Sequence, residues 1–525
     1  NFYSYGKLTK PIYQDTKTEI HKSPCYGLLT ESVREPCLLR VKDEVAPGYT
    51  QLKHGIEKQT TFQNRPFKED HVRRAFSVIS NLFRSKMKPV KPIVSKNTLQ
   101  TAVDGIIGVD FIDPIKLNTS SGFPLNQAGI KNKRPHLIKD TNDQFSHFSD
   151  ELKEIYEWNN LQRHLGIIPQ SIYHDVLKDE RLPKEKCIVG KTRLVNSSPL
   201  EQTVTTRQYL LDFCAAFTKA RLDIFSGVGI NARSLEWHDL ASRLLEKNDN
   251  IFDADYSGFG PGLDPELVAK VFDLVNDWYV YNGACEKDCR DCKLRKVLAW
   301  EHFNALHVSG DHLFKTFKGS PSGSCITVIM NTTVGLFYLL LGWIDIMDDE
   351  IELSDEDFIR YVFACIYGDD LIVAVDKKWE HKFNAFTFST FMSKHNIKIT
   401  PANKTKLFGL MNENMKITET TFLKNYFVKH PSRNIWMAAL DKSMILDIPN
   451  WYRAPCPDKI DQTKIAMDTT CRLAYSWGRD FHSEIKKKCQ DWCNERKEIL
   501  VTPTWDEVDK SCYEDLTLGK SLSWI

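Results

Sequence analysis

Two adjacent carboxylates, Asp369 and Asp370, follow Tyr367-Gly368 between two apolar, β-rich runs. Strands of that composition are buried, and an uncompensated buried charge is expensive, so two like charges at their junction call for a balancing cation. Hard oxygen ligands on a rigid turn suit Mg²⁺, which takes one or two carboxylates and keeps its other positions for water and phosphate oxygens. An exposed hairpin tip is the opposing interpretation. A second acidic segment, FDADYSGFGPGLDP (Phe252 to Pro265), ends an apolar strand with Asp253 and Asp255 two residues apart, on one face. Two-metal phosphoryl chemistry needs acids from at least two chain segments, holding ions about 3.5–4 Å apart. Asp255 and Asp369 meet that need if their strands are neighbours. Asp264 reads differently: standing before Pro265, it is a helix cap.

Three more segments carry candidate chemistry. KGSPSGSCITVIMNTT (Lys318 to Thr333) joins a small-residue loop to an apolar helix, with Thr327 and Asn331 four apart and so on one face. Polar groups on such a helix need partners, and a ribose is a good one. KDERLPKEKCIVGKTRLVN (Lys178 to Asn196) packs Lys178, Arg181, Lys184, Lys186, Lys191 and Arg193 into a short span. Read as a strand, Lys191 and Arg193 share a face, and the ridge could neutralise a triphosphate. A charged surface paired with Asp179, Glu180 and Glu185 is the alternative. Gly190-Lys191-Thr192 is no Walker loop, because Glu185 stands where that loop needs Gly. Finally, Lys404 follows a Thr-Pro turn and is a candidate proton donor to a leaving group.

The elements that must position these residues are partly readable. Asn250 to Tyr256 reads as a strand, and Asp264-Pro265 opens a helix with one apolar stripe from Leu267 to Trp278. Phe358 to Asp376 reads as a hairpin, Glu69 to Met87 as a helix, and the last hundred residues as mostly helical, with an amphipathic stretch at Ile485 to Ile499. Val328 to Met347 has the length of a bilayer span, but Asn331, Thr332, Thr333 and Asp345 make it a buried core helix and no transmembrane segment. The chain has 525 residues, room for three or four interleaved units. Its 70 basic and 69 acidic residues give a net charge of +1, which excludes a bulk polycation, so any nucleic-acid affinity must come from local patches. The 14 cysteines fit a reducing compartment. Asn at position 1 fits a piece of a longer precursor.

In order, these segments resemble the RNA-dependent RNA polymerases of picornavirus-like positive-strand RNA viruses, with a lean towards insect picorna-like viruses. Thr119 to Pro124 (TSSGFP) is similar to motif G, Lys178 to Arg193 to motif F, Asp255 to Phe259 to motif A, and Ser320 to Asn331 to motif B. Tyr367 to Asp370 is similar to motif C, Thr400 to Lys404 to motif D, and Thr421 to Lys424 to motif E. The resemblance implies an α+β fold, a closed right hand with an antiparallel palm sheet and a helical thumb. It divides the chain into fingers (1–208 and 264–318), palm (209–263 and 319–428) and thumb (429–525). Asp255, Asp369 and Asp370 would bind two Mg²⁺, with Mn²⁺ able to substitute, and Lys404 would be the general acid. Lys178, Lys186, Lys191 and Arg193 would hold the NTP, and Ser322, Thr327 and Asn331 would read its ribose. Thr119, Ser120, Ser121, Gly122 and Lys424 would touch RNA.

Implied partners are an RNA template and product duplex, NTPs, a genome-linked protein primer and other viral replication proteins, in membrane-associated complexes of the host cytoplasm. One position departs from the picornavirus pattern: Gly260 stands where a second acid helps sense the 2′-hydroxyl. Cys285, Cys289 and Cys292 form C-x₃-C-x₂-C with no evident fourth ligand except His302, so free thiols rather than zinc ligands are expected there. The competing functions are a reverse transcriptase-type polymerase and an inactive RNA-binding scaffold with the same fold.

Overall fold

A computed structural model describes residues 2–12, 17–39, 44–47, 49–61, 64–127, 132–402 and 415–513. Its centre is an antiparallel sheet built from the most apolar strands of the chain. Asn250–Tyr256 pairs with Asp370–Val375, which pairs with Val362–Tyr367; Ile399–Thr400 and Met415–Lys416 share the other edge of Asn250–Tyr256. Ile251, Phe252, Ala254 and Leu371 to Val375 are all buried, as expected of strands covered on both sides. The helices Leu235–Lys247 and Thr327–Ile346 pack against the hairpin. The second of these is the helix long and apolar enough to cross a bilayer, and most of it lies inside the protein.

A second, five-stranded sheet joins Phe2–Lys7, His312–Thr316, Leu306–Ser309, Ile172–Leu177 and Leu194–Ser197. One large core links the helix Glu69–Lys86, the helix Pro265–Tyr281 and the central sheet. The C-terminal helices Lys459–Ala474 and Arg479–Glu495 have a core of their own.

The N-terminal segment crosses to that C-terminal unit and closes a ring. Ile20–Lys22 pairs with Trp451–Arg453, and Cys25 is buried among Ile445, Met467 and Cys471. Arg34–Pro36 pairs with Arg181–Pro183. Side chains reinforce the closure: Arg453 Nη1 meets Asp179 at 3.0 Å and Glu19 at 3.1 Å, and Arg181 pairs with Asp447 at 2.5 Å.

Three expectations need correction. The hairpin's first strand starts at Val362, because Asp357 accepts from the Ser354 N–H and hydroxyl and starts the short helix Asp357–Tyr361. The basic ridge is a strand only at Arg181–Pro183 and from Leu194 onward, not at Lys191 and Arg193. Lys184–Ile188 is helical, Gly190 turns at φ 64°, and Thr192 is tied to Gln51 and Leu38. The C-terminal hundred residues are mostly helical as expected, but they also carry the short strands Asn425–Lys429, Trp436–Leu440 and Trp451–Arg453, and the helix Arg479–Glu495 stops short of Ile499.

Candidate active site

Register brings the acids together. Asp255, next to last in its strand, lies directly opposite Asp370, the first residue of the neighbouring antiparallel strand, and partners of this kind have Cα atoms about 4.5–5.5 Å apart. Asp369 sits beside Asp370 in the turn, where Gly368 adopts φ 64°. The turn is anchored from behind: the Gly368 N–H donates to Thr332 Oγ1 at 3.0 Å, and Gly335 lets that helix approach Ile366. Burial pushes the Asp370 carboxyl up to about 7, and the carboxylates of Asp369, Asp255 and Asp253 push the same way, against Lys424. Oxygen donors crowded in a half-buried site, one of them held near its protonation point by its neighbours, fit a divalent hard cation.

Asp253 shares the strand face but has another task. It is buried and accepts from the Ala402 N–H at 3.1 Å and the Thr421 N–H at 2.8 Å, fastening two distant segments to the central strand. Asp264 caps Pro265–Tyr281 by accepting from the Glu266 and Leu267 N–H groups, as its sequence position predicts.

The ribose candidates converge. Ser322, Thr327, Asn331 and Gly260 line one small cavity of 120 Å³, together with Asn196, Lys318 and Ser320. Within it, Asn331 Oδ1 is buried and has no hydrogen-bond partner among the described residues. The Thr327 hydroxyl is already engaged with the Pro321 carbonyl at 3.0 Å. Ser322 is clipped to Asn196: its N–H and hydroxyl both donate to Asn196 Oδ1, and the Asn196 N–H donates back to Ser322 Oγ. Asn196 was not among the residues singled out from sequence, and nothing local marks it.

The basic ridge splits. Arg193 is gripped by Glu180, with Nε at 2.7 Å from Oε1, and Lys178 meets the same carboxylate at 3.7 Å. Burial would raise Glu180, but the hydrogen bonds and charges of Arg193 and Lys178 outweigh it and hold the carboxyl below its usual range. Glu180, followed by Asp369, keeps Arg193 protonated. Lys186 is exposed on Lys184–Ile188. Lys191 is also exposed and lies near His54, which burial, Lys58 and Lys191 hold below its ordinary value.

Thr119 and Ser120 line a larger cavity of 790 Å³ with Lys133, Arg207, Asn196, Ser197 and Arg453. Ser121 is buried and its carbonyl accepts from the Leu200 N–H, while Gly122, at φ 72°, leaves no room for a side chain against Ser198. These two residues shape the loop. Lys424 is exposed at the two-residue turn joining Thr421–Phe422 to Asn425–Lys429, both turn residues having positive φ. Lys404 lies outside the described residues. Cys285, Cys289 and Cys292 also converge. His302 takes no part there; its ring nitrogens meet the Leu298 carbonyl and Ser324 Oγ.

The architecture is that of right-hand polymerases. The structure of the Sicinivirus 3Dpol RNA dependent RNA polymerase superimposes with a TM-score of 0.78 at 19% identity, covering 98% of this chain and 100% of that one. Residues 47–494 match the family described as viral RNA-dependent RNA polymerase, and the chain belongs to that family. It is 33% identical over 530 residues to the genome polyprotein of Deformed wing virus, covering 98% of this chain and 18% of the polyprotein. The Ectropis obliqua picorna-like virus polyprotein is 27% identical over 97% of the chain, and that of Rice tungro spherical virus (strain Vt6) 28% over 93%. The chain thus spans less than a fifth of these relatives' length.

Proposed function

We propose that this viral RNA-dependent RNA polymerase extends an RNA 3′-end from NTPs on an RNA template by two-metal nucleotidyl transfer, replicating a viral RNA genome in infected cells. The observation that carries the reading is the register of Asp255 opposite Asp370 with Asp369 at its side. Asp255 and Asp369 hold two Mg²⁺, Mn²⁺ being an alternative, and Asp370 assists at the edge. When bound, these ions activate the attacking 3′-hydroxyl and neutralise charge on the α-phosphate and the departing pyrophosphate.

The chain's own residues do the rest. Arg193 and Lys178 hold the triphosphate, exchanging Glu180 for phosphate oxygens, and Lys186 and Lys191 add to the field that draws it in. Asn331 accepts from a ribose hydroxyl through its buried Oδ1, which has no partner among the described residues, beside Ser322 and Thr327. Lys404 delivers a proton to the leaving pyrophosphate. Thr119 and Ser120 guide template, Ser121 and Gly122 set the curvature of that loop, and Lys424 grips backbone near the growing end. We infer fingers over 1–208 and 264–318, palm over 209–263 and 319–428, and thumb over 429–525. Similarity to a stretch of viral polyproteins supports work beside other replication proteins, a genome-linked peptide as primer, and membrane-associated complexes in the host cytoplasm.

The test is primer elongation on an RNA template with Mg²⁺, comparing wild type with Asp369→Asn. The variant is expected to lose elongation by orders of magnitude while still binding RNA. Equal rates overturn the assignment, and preferred incorporation of dNTPs points instead to a reverse transcriptase-type enzyme.

A further inference from the structure

The helices Pro265–Tyr281 and Arg290–Phe303 are joined by a short turn in which Gly283 and Asp288 both adopt positive φ. That turn folds Cys285 and Cys289 back onto Cys292, so that all three Sγ atoms lie within 4.8 Å of one another. Cys285 Sγ and Cys292 Sγ are 3.7 Å apart. Thiolates on a tetrahedral zinc, with Zn–S of about 2.3 Å, stand about 3.8 Å from each other. Cys289 is also fixed from below, because it caps the second helix and its Sγ accepts from the Cys292 N–H.

A second observation points the same way. Arg295, one turn further along that helix, is buried. Its guanidinium donates to the Tyr209 carbonyl at 2.9 Å and to Asn276 Oδ1 at 3.3 Å, stacks on Tyr279, and reaches Cys285 Sγ at 4.0 Å. None of these is a carboxylate, and no ion pair joins it to one among the described residues. A buried cation held only by neutral groups is costly. A divalent ion on three thiolates carries a net charge of −1, which is the partner this site lacks.

We propose that Cys285, Cys289 and Cys292 bind one Zn²⁺ with Arg295 as counter-charge, the fourth position being taken by water. On binding, the three thiol protons pass to solvent and three Zn–S bonds form; no oxidation is involved. The ion clips the turn between the two helices to the start of the second, and so acts on stability.

The experiment uses the whole protein, purified with reductant and dialysed against buffer containing micromolar Zn²⁺. Expected are one zinc per chain by elemental analysis and, with Co²⁺ alone as probe, the thiolate-to-metal charge-transfer absorption of a sulfur-rich site. Cys289→Ser and the Cys285→Ser/Cys292→Ser pair should lose both signals, while Asp369→Asn should keep them. Chelation should lower the thermal midpoint of wild type and leave that of Cys289→Ser unmoved. Below about a tenth of an equivalent of zinc with no cobalt–sulfur band in the wild type, the site does not exist. Zinc lost in Asp369→Asn but kept in the cysteine variants would place the ion at the acids instead, and a Cys285–Cys292 disulfide in the reduced preparation would equally overturn the proposal. The cobalt spectrum of wild type decides the matter even if the cysteine variants fold poorly.

Discussion

Asp370→Asn should stabilise the metal-free protein at pH 8. The Asp370 carboxyl is lifted from an ordinary 3.8 to about 7, by burial first and by the carboxylates of Asp369, Asp255 and Asp253 after it. The sign follows from proton binding. Between pH 3.8 and 7 the folded chain keeps a proton at this site that the unfolded chain has released, so the contribution to stability is fully present below about 4 and is lost as pH rises through 7. Above 7 the charged group opposes folding. At about 1.4 kcal/mol per pH unit the full interval is worth about 4 kcal/mol, and partial solvation of the site reduces it to about 2–4 kcal/mol. A chain of this length has an unfolding entropy near 1 kcal/mol per degree, so the thermal midpoint should rise by about 2–4 °C. The assay is thermal unfolding of variant and wild type in chelator from pH 5 to 9, reading their difference so that other titrating groups cancel. The difference should be under half its full value at pH 5 and grow to its full value by pH 8. Mg²⁺ should then raise the wild-type midpoint at pH 8 more than that of the variant. A variant that is no more stable than wild type at pH 8, or a difference that does not change with pH, would refute the reasoning.

Other outcomes follow from single contacts. Asn331→Ala removes the amide in the small cavity and should reduce discrimination of NTP over dNTP by roughly tenfold, the worth of one hydrogen bond, read as a ratio of kcat/KM values. Gly260→Asp should increase that discrimination: a Cβ built there meets nothing closer than Ser320 O at 3.8 Å, so the backbone site accepts a Cβ. Thr332→Val strips the acceptor from the buried Gly368 N–H, at a cost of about 1–3 kcal/mol, and should lower kcat while leaving RNA affinity unchanged. Arg453→Ala breaks an exposed clasp between the two ends of the ring, and such pairs are worth about 1 kcal/mol or less. It should shorten the lifetime of the elongation complex several-fold without changing single-nucleotide addition.

What the sequence made legible is local. The strand Asn250–Tyr256, the helix from Glu69 and the Asp264 cap follow from apolar period and from a side chain reaching N–H groups two and three residues away. Convergence of Asp255 with Asp369 and Asp370 was legible only as a condition, that their strands be neighbours. What was not legible depends on partners far along the chain. Asp253 and Asp255 have the same residue type and face, yet one is fastened to N–H groups 149 and 168 residues away and the other ends beside the acids. Thr332 is one of two threonines after Asn331, and only the packing of its helix on the hairpin distinguishes it from Thr333, which bonds back to its own helix at Ile329. The ring closure pairs Ile20 with Arg453, a match that no spacing rule could find.

Asn196 shows how these distant contacts become one device. It lines both the large cavity, with Thr119 and Ser120, and the small one, with Asn331 and Gly260. Its amide is held by the buried Asp175 at 2.5 Å, and Asp175 is itself held by His307 and Ser309 of the five-stranded sheet. The other side of that amide carries Ser322, and Gly323 beside it packs so closely on the Asn196 carbonyl that no Cβ would fit. The loop that precedes the helix Thr327–Ile346 is therefore held by the five-stranded sheet through Asn196 as well as by the Thr327 hydroxyl on the Pro321 carbonyl. Any movement of Ser322 must exchange its bonds to Asn196, whose single amide therefore stands between the small cavity and the large one.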